Sequence, residues 1–180
     1  ATTNATAATI SGPVRLGADQ TWDVVNAGST LSLGSLLGGA DVTKTGPGKV
    51  TLTAAADPTF NSGLTVDLAI NAGTVELTNT TALGNAVNSN LANVALNPGG
   101  AFYYNGAAST VANPIAFNGG TLSAGTANQT YSGAITMNAN SVINMRDMNA
   151  ATGTATTQFT VRSDERRVGN ESIARRTPDN

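Results

Sequence analysis

At 180 residues the chain is long enough for one domain or for a slice of a longer array, and an apolar content of 40% is enough for a core. Aromatic residues make up only 4%, so that core must be built from Val, Leu, Ile and Ala, which suits the pleated surface of a slim β-structure. The formal net charge is −2, and the absence of Cys and His excludes disulfides, thiolate metal sites and the commonest general base.

In chain order, the first clear element is residues 24–33, where Val24-Val25 runs into a turn led by Asn26 and out into Leu31-Ser32-Leu33. The plan recurs at 68–77 around Asn71, at 94–102 around Asn97, at 115–122 around Asn118 and at 135–143 around Asn138. The asparagines lie 45, 26, 21 and 20 residues apart, and Gly46-Pro47-Gly48 makes its own turn inside the one double-length gap. A repeat of roughly 20–25 residues predicts a solenoid, in which no repeat buries its apolar face alone.

Within a repeat the alternation has period two. Leu64, Val66, Leu68 and Ile70 face one side, with Thr65, Asp67 and Ala69 on the other. Val75 and Leu77 flank Glu76 in the same way, which predicts Asp67 and Glu76 outward in solvent. Asn tolerates left-handed backbone angles and the Gly after it takes positive φ without steric cost, so Asn-x-Gly reads as a corner. Corner asparagines on successive rungs are placed to stack as a side-chain ladder, imperfectly because their early spacing is uneven. Residues 80–90 interrupt the pattern and read as a loop or one helical turn at the junction of two blocks.

Thr43-Lys44-Thr45-Gly46-Pro47-Gly48-Lys49-Val50-Thr51-Leu52-Thr53, Phe60-Asn61-Ser62-Gly63-Leu64-Thr65-Val66, Ile70-Asn71-Ala72-Gly73-Thr74-Val75-Glu76-Leu77 and Ala82-Leu83-Gly84 together resemble the autotransporter-associated β-strand repeat, or passenger-associated transport repeat. The resemblance spans residues 43–84 and departs from the family pattern at Asp57-Pro58-Thr59-Phe60, in a turn. It implies a right-handed parallel β-helix passenger, exported across a bacterial outer membrane and displayed or released. It also implies a stalk element that supports secretion and carries no catalytic residues.

At residue 162 the composition changes. Through Val161 the chain holds four basic and seven acidic residues; residues 162–180 hold five arginines and four acids. Interleaved signs argue against a nucleic-acid-binding tail; the plain reading is a solvated tail or a short polar helix, for which Glu171 and Arg175 offer one weak i,i+4 pair. Arg162-Ser163-Asp164-Glu165-Arg166-Arg167-Val168-Gly169-Asn170-Glu171 resembles the translation of a common sequencing adapter, so 162–180 is set aside as a non-native charged tail and 1–161 is read as the β-helix fragment. The start at Ala1 without a signal segment fits an internal piece, and no apolar run is long enough to span a bilayer as a helix.

Glycan-cleaving chemistry, the activity other parallel β-helices host, needs clustered carboxylates on one face. Asp67 and Glu76 are the best pair, yet they fall on opposite arms of a rung; Asp19 and Asp23 flank Trp22, which reads as an edge residue covering apolar surface. Gly38-Gly39-Ala40-Asp41 lacks the tandem pattern of a calcium repeat, and the sequons within 1–161, at Asn4, Asn79 and Asn128, are expected by chance. The expectation is therefore an all-β chain of roughly seven rungs, about 35 Å long at about 4.8 Å per rung, with a β-sandwich of short strands as the alternative fold. No catalytic, cofactor or metal residues are expected. The expected role is a structural stalk at the bacterial surface whose partners are neighbouring repeats. Host surfaces or glycans are the partners of the alternative adhesin reading, and a polysaccharide-acting enzyme ranks third.

Overall fold

The computed structural model describes residues 6–61, 67–123, 129–144 and 159–161, the last three by backbone alone. Each turn of the chain lays down two or three short strands. β1 (Ala7–Ile10), β2 (Val14–Leu16) and β3 (Gln20–Asp23) make the first rung, and β4 (Thr30–Leu33), β5 (Leu36–Gly38) and β6 (Val42–Thr45) the second. The third holds β7 (Lys49–Leu52) and β8 (Asp67–Ile70), and the fourth β9 (Gly73–Leu77) and β10 (Asn93–Leu96). β11 (Gly100–Tyr104), β12 (Ser109–Val111) and β13 (Ile115–Phe117) form the fifth, and β14 (Thr121–Ser123), β15 (Gln129–Tyr131) and β16 (Ile135–Met137) the sixth. β17 (Val142–Asn144) and β18 (Phe159–Val161) open a seventh.

Every strand pairing among the described residues is parallel and joins one rung to the next. Three faces result. Face 1 runs β1-β4-β7-β9-β11-β14-β17 and face 3 runs β3-β6-β8-β10-β13-β16. Face 2 is divided into β2-β5 and β12-β15-β18. The molecule is a parallel β-helix of six turns with the start of a seventh, close to the expected rung count. The antiparallel pairing that a β-sandwich requires does not occur among these strands.

Strand alternation sends one set of side chains inward on each face, and the parallel register stacks them. On face 1 the columns are Leu31-Val50-Val75-Phe102-Leu122 and Leu33-Leu52-Leu77-Tyr104. On face 3 they are Val42-Leu68-Val94-Ile115-Ile135 and Trp22-Lys44-Ile70-Leu96-Phe117. Val50, Leu52, Val75, Leu77, Ile70 and Leu96 are fully buried, each aliphatic side chain contributing about 1.5–3 kcal/mol by leaving water. The inward assignment of Leu68, Ile70, Val75 and Leu77 holds, while Leu64 and Val66 lie outside the described residues. Trp22 is partly buried against the core from the first rung, as an edge residue should be.

Among the described residues face 2 has no strand in the third and fourth rungs, where 53–61 and 78–92 are turns and loops with one 3-10 turn. Phe60 and Leu83 fill that side of the core from loops, and Asn61 Nδ2 donates to Leu91 O at 3.0 Å. The interruption predicted at 80–90 is a turn followed by a short 3-10 helix, Ala86–Asn88. Asn85 caps it by accepting from Val87 N, and Ser89 ends it in the left-handed region. On face 2, Tyr131 sits in the core, where burial pushes its hydroxyl pKa up, and Gln129 Nε2 donates to Tyr104 O at 2.6 Å.

Candidate functional site

The two carboxylates ranked highest from sequence part company. Asp67 begins β8 on face 3 and is exposed as expected, whereas Glu76 on β9 of face 1 is only 4% exposed. The expectation of Glu76 in solvent is therefore corrected. Its side chain does point outward, but Thr51 and Tyr103 stand on either side of it in the same outward column, and both are buried too.

Glu76 is held from both neighbouring rungs. Lys49 Nζ pairs with Oε2 at 2.5 Å, Thr51 Oγ1 donates to Oε2 at 3.2 Å, and Asn105 Nδ2 donates to Oε1 at 2.7 Å. Burial alone would push the carboxyl pKa up. The hydrogen bond and charge of Lys49, with the bonds from Asn105 and Tyr103, outweigh it and hold the group below the ordinary glutamate value. With its acceptors engaged, Glu76 is built as a clamp across the third, fourth and fifth rungs.

Two side-chain ladders run along the corners of face 3. Where face 3 turns into face 1, Asn97 Nδ2 donates to Asn71 Oδ1 at 2.6 Å, Asn118 to Asn97 at 2.9 Å and Asn138 to Asn118 at 2.8 Å. Each of these asparagines also donates its backbone N–H to the rung before it, as Asn97 N does to Ile70 O. Asn26 stands outside the ladder because Gly46-Pro47-Gly48 occupies the corner of the second rung. At the opposite edge a second column was missed in the sequence. Asp41 N donates to Asp19 Oδ1, Asp67 N to Asp41 Oδ1, and Asn93 Nδ2 to Asp67 Oδ1 at 2.9 Å. Its signal was available as spacings of 22, 26 and 26 residues between these positions.

The repeat motif itself is spent on the corner. Lys44 points into the core column between Trp22 and Ile70 with no exposed surface, and its ammonium donates to the carbonyls of Thr45, Gly46 at 2.7 Å and Ala72 at 3.2 Å. Burial lowers its pKa, and Asp23 partly offsets that. Gly73 adopts φ +68, and a Cβ there would lie 2.3 Å from Gly48 O, so a side chain cannot enter where one corner stacks on the next.

Above face 3 lies an open groove of about 430 Å³, lined by Asp67, Ala69, Asn93, Ala95, Ala116 and Thr136 among others. Small side chains from four successive rungs make its floor flat. Among the described residues no three His, Cys, Asp or Glu side chains are grouped to hold a metal, and no helix is long and apolar enough to cross a membrane. Asn79 of the middle sequon accepts from Thr81 N and Thr81 Oγ1 within one turn, and Asp57 does the same with Thr59, so the arrangement is ordinary turn chemistry. Asn4 and Asn128 lie outside the described residues.

Fold and side-chain geometry define the class as a parallel β-helix whose polar side chains largely join rung to rung. No family model matches the chain, and no curated protein or solved structure matches it either.

Proposed function

We propose that the chain is a stalk or spacer segment of a bacterial passenger protein, secreted or displayed at the cell surface, whose work is mechanical. The reading is carried by one observation: Lys44, Gly48, Asn71 and Gly73, residues of the repeat that the sequence resembles, are all engaged in stacking one corner on the next. Residues so engaged serve the stack. Folding free energy gained as each rung closes on the last would favour outward movement of an exported chain, and the partners of each repeat are its neighbours.

The test is surface display. The chain is placed between an epitope tag and an outer-membrane barrel, and display is compared with that of Gly73→Val, which blocks corner stacking. The intact chain should display its tag and the variant should accumulate inside; equal display would overturn the stalk reading. The groove over face 3 supports the second reading, a glycan-binding solenoid. That reading predicts saturable binding of a neutral oligosaccharide, weakened by Ala95→Trp, and the stalk reading predicts none.

A further inference from the structure

The chain contains two Asn-Gly steps, Asn105-Gly106 and Asn118-Gly119. In such a step the glycine N attacks the asparagine Cγ, because no side chain on the glycine hinders the approach. Both steps are half-buried and both asparagines donate a backbone N–H to the preceding rung, but they differ in how the glycine N is held.

Asn118 is locked. Its Nδ2 donates to Asn97 and its Oδ1 accepts from Asn138, while Gly119 N, the nucleophile, is engaged with Ser141 Oγ at 3.0 Å. The next residue, Gly120, donates its N–H to Leu96 O. Closing a ring at this step would break several bonds at once. Asn105 follows β11 and leads into a bend in which Ala107 and Ala108 are exposed. Its Nδ2 is bound to Glu76, but Gly106 N makes no hydrogen bond to the described residues.

We infer that Asn105 is a site of spontaneous self-modification, a deamidation that releases the Glu76 clamp, and that the ladder spares Asn118. Gly106 N forms a bond to Asn105 Cγ, the Cγ–Nδ2 bond breaks, and ammonia leaves with the proton from Gly106 N. Water then opens the five-membered imide to aspartate or isoaspartate, so no oxidant, metal or cofactor is required. The product sets a second carboxylate against Glu76, where Lys49 is the one cation paired to it among the described residues. Like charges in a buried site cannot both stay ionised and in contact. The side-chain clamp between the fourth and fifth rungs therefore loosens in an age-dependent way, while the β9–β11 pairing remains. This goes beyond the stalk proposal and does not depend on it.

The experiment follows both sites in the full chain by peptide mapping during incubation in mildly alkaline buffer, folded and in denaturant. In denaturant both asparagines should convert at similar rates. In the folded protein Asn105 should convert at least about tenfold faster than Asn118, a barrier difference of about 1.4 kcal/mol. Comparable folded-state rates at the two sites, or an Asn105 that keeps its amide while the denatured chain loses it, would overturn the inference. A second arm tests the clamp. Asn105→Asp should lower the melting temperature more than Asn105→Ala does, and Glu76→Gln should remove that excess. An excess that persists with Glu76→Gln would show that carboxylate repulsion is not the cause.

Discussion

At the scale of single residues, the corner asparagines and Glu76 show how position in the stack sets a side chain's worth. Asn97 gives one ladder bond and receives another, whereas Asn138, among the described residues, is bonded only to Asn118 in the ladder. A net hydrogen bond contributes about 0.5–1.5 kcal/mol. Asn97→Ala should therefore cost about 1–3 kcal/mol and Asn138→Ala about half of that, measured by denaturant unfolding. Glu76 gives a pH signature. Its folded pKa lies below the unfolded value, so its contribution is fully present above the unfolded value of about 4.3 and is lost as pH falls through the folded one. The stability gap between the parent chain and Glu76→Gln should be widest near neutrality and close in acid; a gap that widens on acidification would contradict the assigned direction. The ladder was legible in the sequence because the same residue recurs at corner after corner. The burial of Glu76 was not, because alternation assigns it to an outer face and says nothing about neighbours large enough to cover that face.

At the scale of elements, alternation was a good guide to the strands. Leu68 is buried and Asp67 exposed on β8, as period two requires. Leu68→Asp should unfold the middle of the stack, since an unpaired buried charge costs several kcal/mol, while Asp67→Asn keeps an acceptor for Asn93 and should be nearly neutral. Thermal melts that rank the two the other way round would show the register to be wrong. Lys44 marks the limit of such reading. It holds an inward position in β6 that pattern alone would give to an aliphatic residue, and what makes it tolerable is a set of three carbonyls brought together only when the corner folds. The acidic column was equally hidden, because Asp19, Asp41 and Asp67 sit in otherwise dissimilar segments and meet only through parallel stacking.

At the scale of the whole molecule, the near-constant interval between corners was enough to indicate a solenoid, and the split in face 2 was foreshadowed by the break at 80–90. How the third and fourth rungs close their second side was not foreseeable, since Phe60 and Leu83 reach the core from loops without periodicity. The charged segment 162–180 lies outside the described residues.

Because strand pairing always links one rung to the next, the chain is laid out like thread on a spool. Pulled by its ends, it has no element that must give way everywhere at once, so it should pay out one coil at a time. A coil of 20 to 26 residues, the interval between the later corner asparagines, would release about 70–90 Å at about 3.4 Å per residue. Single-molecule stretching should show a staircase of such steps, and one abrupt rupture of the full length would contradict it. The Glu76 clamp ties three coils together, so the step that frees Lys49, Glu76 and Asn105 should need the largest force of the series.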